Sequence, residues 1–412
     1  MTTQISSVGR RRSFKVATLA IGLVVALIVG EVALRIIDYS SPQFYEADST
    51  LGYRLIPGMK GWYSREGRSY VEINQEGFRD VDHAVEKPAD SYRIAVIGDS
   101  YVEALQVERG EMFTNFISGH LGNCGSVGNR RVEVLSFGVS GYGTAQELLM
   151  LRDKVWKYSP DLVVLLVTTN NDITDNLREF KRSPIPYFRV QDGQWVEDDS
   201  FRDDPAFKRR NSTLQSLGNW LTNHLRLVQA VTDAHRSLKY RFDRWRESRA
   251  ADDTKTTAQA DTNSAVGASP SDPGTDNLIY REPADDNWRQ AWDVTEGLLA
   301  AMAKEASDRH VRFVLALGSN GIQVWPDPAP RSEFAKRLGV QDLGYPNRRL
   351  VSLGSAHSFP VIDLVPELAH YAESNKVYLH GFAGDIGNGH WNAAGHKAAG
   401  DILGDRLCSA LK

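Results

Sequence analysis

Hydrophobic positions fall along this chain in three different patterns. Between Phe14 and Ile37 they are nearly continuous: an apolar run from Val16 to Gly30, then Glu31, Val32-Ala-Leu34, Arg35 and Ile36-Ile37. A bilayer-spanning helix needs about 20 mainly apolar residues, so residues 14–37 are expected to form a transmembrane anchor. Arg10, Arg11 and Arg12 precede it, which makes residues 1–13 a cytoplasmic tail and places everything after the anchor on the outer side. No small-x-small cleavage site follows the run, which favours an uncleaved anchor over a signal peptide.

From Tyr92 onward the pattern changes to short, fully apolar runs alternating with helical spacing. Tyr92–Ile97, Val132–Phe137 and Asp161–Val167 read as strands buried on both faces. Met112–Leu121 and Ala145–Lys157 read as the helices between them, the latter through Leu148, Leu149 and Val155. After an interruption the alternation resumes with a helix over Asn287–Asp308, a strand over Val311–Leu317, a short strand over Pro360–Leu364 and a last helix from near Asn392 to near Leu411. Strand–helix alternation of this kind predicts a parallel sheet with right-handed crossovers.

The third pattern is broken. Residues 38–90, with Leu51-Gly-Tyr-Arg54, Pro57-Gly58 and Asn74-Gln-Glu-Gly-Phe-Arg-Asp80, predict short strands and turns leading into the first core strand. Residues 173–290 read as an insertion. Asn211 or Ser212 caps a helix expected to run to about Arg249, with apolar positions Leu214, Leu217, Leu221, Val228 and Val231. Its later, basic part (Arg236, Lys239, Arg241, Arg244, Arg246, Arg249) reads as a solvated face. Residues 250–277 carry almost no large apolar side chain and are expected to be disordered. The domain reading is therefore a tail, an anchor, a lead-in over 38–90 and one domain over 91–412 with that insertion.

Composition adds exclusions. Hydrophobic residues make up 42% and charged residues 24%, ordinary values for a globular protein. A net charge of −4 argues against nucleic acid as a partner. Two cysteines give neither a disulfide framework nor a Cys-rich zinc site. His390 and His396 are six apart, which fits no common zinc spacing, and no Gly-rich nucleotide loop follows a strand. Neither metal nor cofactor is expected.

Candidate chemistry sits where the first core strand ends, at Gly98-Asp99-Ser100, because open α/β sheets place their sites at the carboxyl edge of the strands. With it go Gly138-Val-Ser-Gly-Tyr-Gly143, Asn170-Asn171-Asp172 and Gly389-His-Trp-Asn-Ala-Ala-Gly-His396. In this order the set resembles the blocks of the SGNH (GDSL-type) hydrolases, over roughly residues 90–180 and 310–410. The resemblance implies Ser100 as nucleophile and His390 as its base. It implies an oxyanion hole from the N–H groups of Ser100 and Gly141 and the side chain of Asn171. Thr169-Asn170-Asn171-Asp172 stands where the family has Gly-Gly-Asn-Asp, so Asn170 competes with Asn171. The family's Asp lies three or two residues before the His, at Gly387 or Asn388 here. The nearest carboxylate, Asp385, is the expected third member, and a Ser-His dyad oriented by Asn388 or a backbone carbonyl is the alternative. His310, His357, His370, His380 and His396 read as structural or surface residues.

The function implied is a membrane-anchored, extracytoplasmic (periplasmic or extracellular) serine esterase removing an acetyl or other small acyl group from a glycan. An O-acyltransferase using the same site and an inactive glycan-binding or assembly protein are the alternatives. The expected fold class is a flavodoxin-like three-layer sandwich whose parallel five-stranded sheet has the order 2-1-3-4-5, with the anchor and the helical, partly disordered insertion added. In that order the first and last helices are neighbours with their carboxyl ends together, so Cys124 and Cys408 are expected to form a disulfide.

Overall fold

The computed structural model describes residues 5–236, 238–239, 242 and 275–411. The chain forms two compact units. One is Met1–Gln43 with Ser212–Val266, and the other is Phe44–Asn211 with Gly267–Lys412. This division differs from the expected one. Residues 44–90 of the lead-in belong to the large unit, whereas residues 38–43 and the helical part of the insertion belong with the anchor. Of the segment 250–277, only 275–277 fall within the described residues, in a short 3-10 turn over Thr275–Tyr280.

The small unit opens with α1 (Ile5–Ile36). The large unit follows with two antiparallel hairpins, β1 (Tyr45–Asp48) with β2 (Gly52–Leu55) and β3 (Lys60–Tyr63) with β4 (Ser69–Glu72). Then come β5 (Ser91–Gly98), α2 (Ser100–Glu103), α3 (Phe113–Asn123), β6 (Arg131–Gly138), α4 (Thr144–Asp153) and β7 (Leu162–Val167). Beyond β7 lie α5 (Asn171–Thr174), α6 (Arg178–Lys181), the hairpin β8 (Tyr187–Gln191) with β9 (Gln194–Asp198), and α7 (Pro205–Arg210). The small unit contributes α8 (Thr213–His224) and a helix over 226–236, α9. The large unit closes with α10 (Asp286–Asp308), β10 (Arg312–Leu317), α11 (Pro328–Leu338), α12 (Tyr345–His357), β11 (Val361–Asp363), α13 (Val365–Asn375) and α14 (Ala393–Ala410). Helices α11, α12 and α13 were not anticipated. Their apolar positions are sparse and broken by charge, so no stripe stands out. The helix expected from 211 to 249 breaks at Leu225, which takes an extended conformation.

The central sheet has five parallel strands in the order β11-β10-β7-β5-β6. Counted in chain order from β6, that is 2-1-3-4-5. Successive side chains of a strand point to opposite faces, and here the alternation separates two cores. Ala95, Ile97, Val163, Leu165 and Leu315 pack with Leu148, Trp292, Leu298 and Leu299 on one side. Ile94, Val96, Val164, Leu166 and Val314 pack with Phe113, Ile117, Leu403 and Leu407 on the other. Helices α3 and α14 are neighbours on that second side, and Cys124 is bonded to Cys408 at their ends with a Cα separation of 6.1 Å. Burial on both faces leaves the carboxyl ends of β5, β6 and β7 as the place where polar side chains gather.

Candidate active site

Every residue of β5 is buried, and the chain turns from it directly into α2 through Asp99. Asp99 is the N-cap of α2: Oδ1 accepts the Tyr101 N–H at 2.9 Å. Its other oxygen, Oδ2, accepts Thr168 Oγ1 at 2.7 Å and Asn171 Nδ2 at 2.9 Å. One carboxylate thereby fastens the end of β5 to the end of β7. Ser100 is the first residue of the helix, so its own N–H has no intrahelical acceptor. The residue is 9% exposed and lines the cleft.

Ser100 Oγ donates to His390 Nε2 at 2.7 Å. His390 Nδ1 lies 2.5 Å from Glu66 Oε2, and the His390 backbone N–H donates to Glu66 Oε1 at 2.8 Å. A carboxylate can only accept, so Glu66 fixes the tautomer with hydrogen on Nδ1 and leaves Nε2 free to take the serine proton. Burial works against a charged His390, but the hydrogen bond and charge of Glu66 outweigh it and hold its pKa above the usual histidine value. Burial likewise raises Glu66, but its bonds to His390 prevail and the carboxyl sits below the usual range.

The expected third member, Asp385, is therefore corrected. Asp385 is exposed, accepts from Asn388 Nδ2 at 2.8 Å, and has no bond to His390. Glu66 comes from the turn between β3 and β4, 324 residues away from His390 in sequence. Gly67 makes that turn possible. Its φ is +68°, and a Cβ there would lie 2.3 Å from the Gln106 carbonyl oxygen. The only sequence signal was a polar Arg65-Glu66-Gly67 between two strand-like runs, which any surface hairpin shows.

The His390 loop is braced from behind. His380 donates from Nδ1 to the Gly389 carbonyl at 2.7 Å, and its Nε2 meets Ser319 Oγ at 2.9 Å. Tyr101 Oη donates to the same Gly389 carbonyl, and Trp391 Nε1 donates to Ser319 Oγ. Burial pushes His380 down to about 4 and His396 down to about 3, so both are neutral, structural imidazoles.

Gly141 lies in the loop after β6 with φ +76°. Its neighbours are tied down by side chains from the lead-in. Tyr53 Oη donates to the Ser140 carbonyl at 2.8 Å, Ser140 Oγ donates to Glu103, and Tyr45 Oη donates to both Glu103 oxygens at 2.9 Å. Lys181 Nζ donates to the Gly141 carbonyl at 3.2 Å. The N–H groups of Ser100 and Gly141 have no acceptor among the described residues. Glu103 is wholly buried, and desolvation lifts it to about 7 against the pull of these hydrogen bonds.

Asn171 was expected to supply the side-chain donor. Its Nδ2 instead faces two carboxylates, Asp99 at 2.9 Å and Asp172 at 3.3 Å. Asn170 spends only its oxygen, accepting the Asn171 N–H at 3.0 Å, and its amide nitrogen has no acceptor among the described residues. Of the two side chains, it is therefore Asn170 whose amide nitrogen has no acceptor among the described residues, while that of Asn171 is engaged. Arg79, from the Asn74–Asp80 stretch, is structural: it is buried and donates to the carbonyls of Ala104 and Val107.

These groups open on a cleft of about 670 Å³ that Lys181, Asn277, Asn320, Phe334, Arg337 and Asn388 also line. Among the described residues no cluster of His, Cys, Asp and Glu could hold a metal ion.

No family model matches the chain, and no curated protein matches it. Solved structures similar to it include the acetyl xylan esterase AlAXEase, at 13% identity and a TM-score of 0.38, covering 76% of this chain and 99% of that one. Another is LAE5, an alpha/beta hydrolase enzyme from the metagenome of Lake Arreo, Spain, at 13% and 0.37, covering 80% and 100%. A third is a catalytic mutant of an acetylxylan esterase from Geobacillus stearothermophilus, at 11% and 0.37, covering 77% and 94%. At these identities and scores the likeness assigns neither activity nor substrate to this chain.

Proposed function

We propose that this chain is a serine esterase in which Ser100, His390 and Glu66 form the relay and the N–H groups of Ser100, Gly141 and Asn170 form the oxyanion hole. The observation that carries the reading is the unbroken hydrogen-bond path from Ser100 Oγ through both His390 ring nitrogens to a carboxylate, beside donors left without acceptors. Ser100 Oγ attacks the acyl carbon while its proton passes to His390 Nε2. Glu66 offsets the imidazolium charge. The tetrahedral oxyanion meets the three N–H donors, and the leaving alcohol takes the proton back from His390. Water, activated by the same histidine, then hydrolyses the acyl-Ser100 ester.

The substrate proposed is a small acyl ester, an acetyl group first, on a carbohydrate. The polar lining of the cleft by asparagines and cations supports a hydroxyl-rich substrate over a long acyl chain. The extracytoplasmic, membrane-anchored placement belongs to the same proposal. It is supported by Phe14–Ile36, a span of 23 residues with mean hydropathy 2.4 and none of it buried. The alternative of an inactive fold rested on the lack of a carboxylate at His390, and Glu66 removes that support. Acetate release from p-nitrophenyl acetate, lost in Ser100→Ala, tests the reading. Normal turnover in that variant refutes it, and transfer to an added sugar at the expense of hydrolysis would make the chain a transferase.

A further inference from the structure

Helix α8 is amphipathic, and its apolar side is bare. Leu214, Leu217, Trp220 and Leu221 are spaced to share one arc of the helix, and they are 80%, 54%, 54% and 37% exposed. Gln215, Ser216, Asn219, Thr222 and Asn223 occupy the rest. No residue of α8 is buried. A short helix with this face would be an unsound element in water unless something apolar covers it.

What covers it is indicated by where α8 is fastened. Its carboxyl end is tied to the last turns of α1, within the same compact unit. Arg35 donates to the His224 carbonyl at 2.8 Å, and Glu31 accepts the N–H groups of Arg226 and Leu227 at 3.1 and 3.0 Å. The Leu227 side chain rests on Gly30, where a Cβ would come within 3.2 Å. The stem after the anchor is held to α9 and to the end of α8 by Ser41 on Gln229 and by Gln43 on Asn223. The break at Leu225 thus sits at the level of Gly30–Arg35, where the continuous apolar run of α1 ends and charge begins. That is the level of the bilayer surface if α1 spans the membrane. Leucines with a tryptophan on one side and uncharged polar residues on the other suit the boundary between headgroups and acyl chains.

We infer that α8 lies in the outer interface of the bilayer, with Leu214, Leu217, Trp220 and Leu221 turned to the lipid, beside the point where the anchor emerges. The inference rests on the anchored reading of α1. The anchor and α8 together make two attachments separated by a tied junction, which restricts the tilt of the membrane-proximal unit.

The test uses the full chain reconstituted into phosphatidylcholine vesicles, with lipid brominated either near the headgroup or near the chain end. Bromine quenches tryptophan on contact, and α1 contains no tryptophan. Quenching by the shallow label of about a tenth of the emission, since Trp220 is one of nine tryptophans, and its loss in Trp220→Phe, is the expected result. Wild-type protein that resists alkaline extraction yet shows no such quenching overturns the placement of α8 while leaving the anchor intact. Quenching that persists in Trp220→Phe also overturns it, because another tryptophan then meets the lipid. Unquenched Trp220 that becomes cross-linkable to a protein in native membranes assigns the face to a protein partner and overturns the inference. Release of the chain by alkaline extraction overturns the anchored reading itself.

Discussion

Glu66→Gln is the perturbation that separates this relay from any arrangement built on the His390 loop alone. Glu66 accepts two bonds from one residue, the Nδ1–H and the backbone N–H of His390. Glutamine keeps one acceptor oxygen and turns an N–H toward the other donor, so one of the two bonds is lost and the imidazolium loses its counter-charge. In a fully buried relay the equivalent change costs about 10⁴ in kcat. Here His390 and Glu66 are 27% and 28% exposed, so water takes over part of the orienting and screening. The expected loss is therefore about 10²–10³ in kcat/KM, or roughly 3–4 kcal/mol of transition-state stabilisation. The pH profile gives a second readout. Glu66 holds the His390 pKa above the usual histidine value, so removing its charge should move the acidic limb of kcat/KM to lower pH. The assay is p-nitrophenyl acetate hydrolysis across pH, with Asp385→Asn as the control expected to match wild type. Glu66→Gln at wild-type rate with an unmoved limb, or a larger loss in Asp385→Asn, would refute the reasoning.

Three further outcomes are expected. Asn170→Ala should lower kcat by about two to three orders of magnitude, the usual cost of one oxyanion donor, while Asn171→Ala should act mainly on stability by freeing Asp99; the reverse ranking in steady-state kinetics restores Asn171 as the donor. Glu103 is held up to about 7 by burial, so the native state keeps a proton that the unfolded chain gives up near the usual carboxyl value. Stability from this group is present at low pH and lost as pH rises through about 7, by about 3 kcal/mol at most; the stability difference between wild type and Glu103→Gln, read from denaturant melts, should shift against wild type by that order between pH 5 and 8, and a constant difference contradicts it. Cys408→Ser opens the bridge to Cys124 and should cost about 6 kcal/mol at most in the chain-entropy account, seen as a lower denaturation midpoint than oxidised wild type; two free thiols in unreduced wild-type protein from an oxidising compartment would show that the bridge is not made.

What could be read from the sequence follows the range of the interactions. The strands announce themselves because a parallel sheet covered on both faces needs continuous apolar runs, such as Ile94–Ile97 and Leu162–Val167. That Ser100, Gly141 and His390 would line one cleft could be read because each sits in a short block whose spacing reflects a local turn at the sheet edge. Glu66 could not, since its partner is at the far end of the chain and its own turn looks like any polar hairpin. The choice between Asn170 and Asn171 depends on which side chain faces Asp99, a matter of direction at a strand end that no spacing reveals. The break in the helix after Ser212 was hidden for a related reason. Leu214, Leu217, Leu221, Val228 and Val231 keep helical spacing across Leu225, although α8 and α9 are separate helices. Glu103 went unnoticed because a carboxylate one turn after Ser100 looks like a solvated helix residue until β1 and the loop after β6 close over it.

Covalent labelling of Ser100 tests the central claim most directly. Full-length protein treated with a fluorophosphonate, then digested and analysed by mass spectrometry, should carry one adduct, on the peptide containing Gly98-Asp99-Ser100. Labelling should be slowed strongly in His390→Ala and substantially in Glu66→Gln, and it should be absent in Ser100→Ala. An unlabelled Ser100 in protein that hydrolyses p-nitrophenyl acetate, or an adduct on any other serine, would contradict the account.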